Sequence, residues 1–114
     1  MFEDRTVVGL VEEIIILNKE TKLKARIDTG ATKSSIDENT AKIFEAETSG
    51  TATVKSSHGT TRRKVIKLDI ILGGKKITEE FTVYNRKNMT YPVLIGQNIL
   101  KHDFIIDPKK DIKK

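Results

Sequence analysis

The sequence predicts one closed all-β domain. Aliphatic residues alternate with polar ones in short runs, the period of strands with one buried face. Glycine-containing turns separate those runs at short intervals. The 114 residues leave room for a single core, and with 37% hydrophobic and 32% charged residues, four Phe and no Trp, that core has to be built mainly from Ile, Val and Leu.

The first element is an extended segment from Thr6 to Leu17, in which Gly9 allows a bend or bulge, followed by the turn residues Asn18-Lys19-Glu20-Thr21. Leu23, Ala25 and Ile27 then alternate with Lys22, Lys24 and Arg26, a half-buried strand leading straight into Asp28-Thr29-Gly30. Ser34-Ser35-Ile36 reads as a short extended piece, and residues 37–44 as one or two helical turns. Strands at 51–55 and 63–72 flank the hairpin tip Ser56-Ser57-His58-Gly59-Thr60-Thr61. Gly73-Gly74 makes a second tight turn, after which the strand at 76–84 pairs back on its predecessor. Val93-Leu94-Ile95 is a continuous apolar run suited to a strand buried on both faces, Gly96 to Lys101 can form one or two helical turns, and Phe104 to Asp107 is a closing strand before Pro108. The domain is expected over residues 1–108, with 109–114 as a basic C-terminal tail.

Composition removes several function classes. With no cysteine there is neither a disulfide framework nor a cysteine-based zinc site, which suits a reduced intracellular compartment. Met1-Phe2-Glu3-Asp4-Arg5 lacks the basic-then-apolar pattern of an export signal, and Ile14-Ile15-Ile16-Leu17 is too short to span a bilayer, so a cytoplasmic location and no membrane partner are expected. The net charge of +5 raises nucleic-acid binding. The cations, however, are spread over the tail, Arg62-Arg63-Lys64 and Lys75-Lys76, without interleaved aromatics, so solvated turns account for them better.

The chemistry-bearing feature is an ordered set: a strand, Asp28-Thr29-Gly30-Ala31, Ser34-Ser35-Ile36, a long glycine-tipped hairpin, then Leu94-Ile95-Gly96 and a helical turn. Asp-Thr-Gly alone is weak, since Asp can cap a turn in which Gly takes positive φ. Taken in order, the parts resemble a retropepsin subunit, the small aspartic protease whose active site forms between two copies. The runs at 24–36, Ser56-Ser57-His58-Gly59, Asn85 to Gly96 and Phe104-Ile105-Ile106-Asp107-Pro108 further resemble a prokaryotic retropepsin-like family labelled ATP-dependent zinc proteases and associated with ATP-grasp ligases that add glutamate to proteins.

That resemblance implies a closed acid-protease barrel with one short helix, assembled as a homodimer, in which Asp28 pairs with its own copy to activate a water. Thr29 is implied to hydrogen-bond across the interface, and Gly30 to let the loop approach closely. Ala31, Ser57, His58 and Gly59 are implied to contact a peptide substrate under the hairpin flap. An exposed histidine at a hairpin tip is also simply tolerated, so His58 has a second, structural reading. Arg86 is expected in a surface or structural ion pair, and Met89 as core or interface filling.

The family's metal and nucleotide labels find no support in the residues. His58 and His102 are the two histidines, without zinc-ligand spacing, and Gly73-Gly74-Lys75-Lys76 is too short for a phosphate loop. No cofactor or metal is therefore expected. Retroviral members carry an Asp–Arg pair bracing the dimer where this chain has Thr32 and Gln97, which predicts a weaker dimer. The function read from the sequence is an aspartic endopeptidase, with acidic peptides as first substrate, and a non-catalytic dimerisation or peptide-binding module as the alternative.

Overall fold

The computed structural model describes residues 4–57 and 59–110. Strands β1 (Thr6–Val8) and β2 (Val11–Ile16) are parted at Gly9, where a Cβ would lie 2.5 Å from the Lys110 carbonyl oxygen. Tolerance of close backbone approach, rather than a bulge, is what glycine supplies there. A 3-10 turn at Leu17–Lys19, ended by Glu20 in the left-handed region at φ 49°, leads into β3 (Thr21–Ile27).

Next come β4 (Ser34–Asp37), α1 (Glu38–Ile43), β5 (Thr48–Ser56), β6 (Gly59–Leu72), β7 (Lys75–Tyr84), β8 (Val93–Ile95), α2 (Gln97–Leu100) and β9 (Phe104–Ile106). The two short α-helices among the described residues fall where helical turns were expected, at 37–44 and 96–101, one more than the resemblance implied. Each caps a turn that a strand could not make: Asp37 accepts from the backbone N–H groups of Asn39 and Thr40 to start α1, and Gly96 starts α2.

The main sheet runs β2-β3-β8-β4-β7-β6-β5, and a further β2–β6 pairing, with Ile14 opposite Leu72 and Ile16 opposite Ile70, closes six of these strands into a barrel. Closure removes the open edges of those strands. β5 stays outside the ring, hanging on β6 as the outer arm of the hairpin. Along β6, Ile66, Leu68, Ile70 and Leu72 are buried while Lys67 and Asp69 are exposed, the alternation visible in the sequence.

Ile, Val and Leu dominate the core, with Phe44 and Phe81 as its largest fully buried side chains; each such aliphatic or aromatic burial contributes roughly 1.5–3 kcal/mol. β8 is flanked on both sides, parallel by β3 and antiparallel by β4. Val93 and Ile95 are fully buried there, but Leu94 is only half-buried because its side faces a cavity.

β1 and β9 form a separate parallel pair within the chain, Thr6 opposite Phe104 and Val8 opposite Ile106. Lys110 Nζ reinforces it, donating to Glu12 Oε2 at 2.6 Å and to the Val7 carbonyl at 3.1 Å. The two ends of the described chain are therefore tied to each other inside one subunit. Among the described residues no helix is long and apolar enough to cross a membrane.

Candidate active site

The Asp28 loop is held from below and from one side. Ile27 N–H donates to the Leu10 carbonyl at 2.9 Å, and Asp28 N–H to the Ile95 carbonyl at 2.9 Å, so the backbone of the loop continues the β3–β8 pairing by one residue. Asp28 Oδ1 accepts the Gly30 N–H at 2.9 Å, which turns the carboxylate back over its own loop. Gly30 is not among the positive-φ glycines. What its lack of a side chain allows is proximity, since a Cβ there would stand 3.2 Å from Asp28 Oδ1. Asp28 is half-buried, and Thr29 and Gly30 are exposed.

The second glycine element is laid directly on this loop. A Cβ at Gly96 would come within 2.5 Å of the Lys33 carbonyl oxygen and 2.7 Å of that of Ala31. Gln97 N–H donates to the Ala31 carbonyl at 2.8 Å and Asn98 N–H to that of Thr32 at 3.2 Å, while Gln97 Nε2 donates to the Thr29 carbonyl at 2.7 Å. The first turn of α2 thereby satisfies carbonyls of the Asp28 loop with its otherwise unused N–H groups.

Ser34 ties the two elements together. Its Oγ accepts the Gly96 N–H at 2.9 Å and lies 2.7 Å from Asn98 Oδ1, to which it donates; Asn98 Nδ2 donates onward to the Glu80 carbonyl at 2.9 Å. Ser34 is fully buried. Sequence reasoning took residues 34–36 as plain strand and missed this role. The available signal was two serines in a short strand of an aliphatic core, where a buried hydroxyl requires partners.

Arg86, expected in a surface or structural ion pair, is 6% exposed and held by hydrogen bonds. Its backbone N–H donates to Asp37 Oδ1 at 2.8 Å, its Nε to the Tyr91 carbonyl at 3.1 Å and its Nη1 to Ser35 Oγ at 3.2 Å. Burial raises the Asp37 carboxyl, but hydrogen bonds from Arg86, Thr40 and Asn39 together hold it below its ordinary value. Burial, and then the nearby Arg63 charge, push the Arg86 guanidinium below its ordinary range, partly offset by Asp37 and Asp28.

Between the loop and the hairpin lies a cavity of about 720 Å³, bounded by Gly30 to Lys33 on one side, Thr53 to Lys55 and Arg63 on the hairpin, and Tyr84, Arg86, Met89 and Leu94 beneath. Met89 is 49% exposed in the chain, so it lines this space instead of filling the core. Of the residues expected to touch substrate, Ala31 lines the cavity. Ser57 and Gly59 do not, because the β5–β6 ladder continues to Ser56 opposite Gly59 and carries the tip past it. His58 lies outside the described residues.

The donor set does not fit zinc: among the described residues no three His, Asp or Glu side chains come together as a metal would require. His102 instead pairs with Glu79, Nε2 to Oε1 at 2.8 Å. Gly73 and Gly74, at φ 59° and 79°, are the turn of the β6–β7 hairpin.

A six-strand closed barrel whose Asp-Thr-Gly loop rests on a glycine-initiated helix beneath a projecting hairpin is a retropepsin-like domain. The chain belongs to the RimB-like family, described as retropepsin-like aspartic endopeptidase RimB, whose model matches residues 37–113. The matched stretch begins after Asp28-Thr29-Gly30. Among curated proteins, the chain is 27% identical to the "Probable alpha-L-glutamate ligase" of Shewanella pealeana, over 77% of this chain and 25% of that protein. It thus spans about a quarter of that relative's length.

Among solved structures it is similar to a Legionella pneumophila protein of unknown function, with a TM-score of 0.69 and 23% identity over 95% of this chain and 97% of the other. It is also similar to the Simian Foamy Virus protease, with a TM-score of 0.58 and 28% identity over 78% and 89%.

Proposed function

We propose that this protein is an aspartic endopeptidase that acts as a homodimer, with one Asp28 from each subunit. The observation that carries the reading is the Asp28 loop itself, a half-buried carboxylate turned over Gly30, supported on β8 and α2, beside a cavity of about 720 Å³. In the pair, the ionised carboxylate takes a proton from a bound water as the water oxygen attacks the scissile carbonyl carbon. The protonated Asp28 of the partner subunit donates to the carbonyl oxygen. Collapse of the tetrahedral intermediate breaks the C–N bond as the leaving amine takes the proton drawn from the water, and a hydroxyl of the intermediate returns its proton to the other carboxylate, leaving the pair again with one proton.

The mechanism needs one carboxylate ionised and one protonated, so activity is expected to fall at both pH extremes. The cysteine-free composition fits a cytoplasmic site of action.

Acidic protein segments are the proposed substrates. The net charge of +5 doubles in a dimer, and the glutamate-ligase name of a relative fits the same substrate chemistry. The test is cleavage of a broad peptide library by the wild type and by Asp28→Asn. Loss of all cleavage in a folded, dimeric variant is expected, and persistent cleavage overturns the assignment. A salt series comparing glutamate-rich with neutral peptides tests the substrate class separately.

The alternative, a peptide-binding or dimerisation module without turnover, is favoured by the uncharged Thr32 and Gln97 in place of a charged brace. A dimer by solution mass that binds peptides and cleaves none would establish it.

A further inference from the structure

The cavity beside the Asp28 loop has a one-sided charge. Lys33, Lys55, Arg63 and Arg86 all line it, and no carboxylate is among its described lining residues. Two of these cations are fixed in place. Arg63 lies over the Tyr84 ring, its guanidinium carbon 3.8 Å from the centroid, and its Nε donates to Thr61 Oγ1 at 3.1 Å. Stacking of this kind orients a guanidinium while leaving its edge free for an anion. Arg86 is fixed by Tyr91 and Ser35 through Nε and Nη1. Its Nη2 makes no hydrogen bond with a described residue.

Neither guanidinium forms an ion pair with a described residue. Two like charges lining one cavity, one of them on a residue only 6% exposed, are unfavourable until an anion joins them. Burial and then the Arg63 charge both work against the charged form of Arg86. A carboxylate entering the cavity would find charged donors from both residues in its lining, and charge-assisted hydrogen bonds are roughly twice as strong as neutral ones.

We infer that Arg63 and Arg86 form a carboxylate-binding subsite that seats a glutamate or aspartate side chain of the substrate beside Asp28. The inference rests on reading the cavity as the substrate cleft. It assigns the choice of residue to two positions in the fold, one on the hairpin and one on the floor, and not to the diffuse charge of the protein. Arg63 sits on β6, the inner arm of the hairpin, so an anion bound to both arginines would also link the hairpin to the barrel and hold it down over the peptide.

The experiment measures binding apart from chemistry. Full-length Asp28→Asn protein is titrated with two fluorescein-labelled peptides that differ in one central residue, glutamate in one and glutamine in the other, at physiological salt. The glutamate peptide is expected to bind about tenfold or more tightly. Adding Arg63→Gln should reduce that ratio to about two or less, leaving affinity for the glutamine peptide nearly unchanged, whereas removing an equal charge outside the cavity by Lys67→Gln should leave the ratio intact.

Arg86→Gln is expected to act in the same direction. Because its buried hydrogen bonds make it a risk to folding, Arg63→Glu is the decisive second variant, and it should turn the preference toward a peptide with a central lysine. Equal binding of the two peptides, a ratio that survives Arg63→Gln, or an equal loss from Lys67→Gln overturns the subsite. Cleavage of the glutamine peptide by wild type keeps the protease reading standing in that case, and selective binding without any cleavage would overturn the protease reading alone.

Discussion

Gln97 Nε2 donates to the Thr29 carbonyl at 2.7 Å, so the first residue of α2 grips the loop that carries Asp28. The position where a charged brace is lacking still braces, within the subunit and through a neutral amide. Gln97→Ala removes this one contact from an exposed site, where water can replace it, so stability should change by only about 0.5–1.5 kcal/mol. Cleavage should fall further, on the order of tenfold, because a slightly displaced carboxylate is costly to the reaction. Thermal unfolding beside steady-state kinetics checks this; a loss of activity no larger than the loss of folded protein would show that the contact has no positioning role.

Gly96→Ala should be among the most damaging single methyl additions in the chain. The new Cβ would meet the backbone oxygens of Lys33 and Ala31, which cannot rotate away. Overpacking of this kind costs about 1–3 kcal/mol or more, and relief requires moving the Asp28 loop itself. Denaturant unfolding should show the loss of stability, and any folded fraction should cleave poorly.

Ser34→Ala leaves the Gly96 N–H and the Asn98 side-chain oxygen without their shared partner in a buried place. A cost of about 1–3 kcal/mol follows from unmet hydrogen-bonding groups. In a double-mutant cycle with Asn98→Ala the two losses should fail to add, with a coupling of about 0.5–3 kcal/mol. Strict additivity would mean that the serine and asparagine act independently.

Asp37→Asn should lower stability in a pH-dependent way. The folded carboxyl lies below its ordinary value, so its contribution is present above the unfolded pKa of about 3.9 and is lost as the pH falls through the lower, folded one. At pH 7 the variant should be less stable by about 1–2 kcal/mol, from the weakened cap of α1 and the weakened acceptor for the Arg86 N–H. Urea unfolding of both proteins from pH 7 to pH 3 should show the gap closing below about pH 4. A gap independent of pH would place the effect outside the carboxylate charge.

Much of the barrel was legible because the relevant forces are local. The alternation in Leu23-Lys24-Ala25-Arg26-Ile27 becomes β3, with Ala25 and Ile27 buried, and the turn at Gly73-Gly74 has the positive φ values that glycine adopts without strain. The Asp28 loop was legible for a related reason, since Asp, Thr and Gly stand in consecutive positions and most of their geometry is made among themselves. Boundaries were less so. The hairpin ladder runs several residues closer to the tip than expected, since cross-strand hydrogen bonds continue wherever two polar strands already lie side by side.

By itself, then, the amino-acid order determined which segments are strands, where the tight turns fall and which carboxylate stands at the end of β3, because side-chain period and turn conformation depend on neighbours in the chain. Only the tertiary structure decided that β1 pairs with β9, that Ser34 bridges Gly96 and Asn98, and that Arg86 is buried beside an Arg63 stacked on Tyr84. Each of these joins residues far apart in sequence, and whether a serine or an arginine lies in water or in a core is settled by what barrel closure packs against it, which no local pattern encodes.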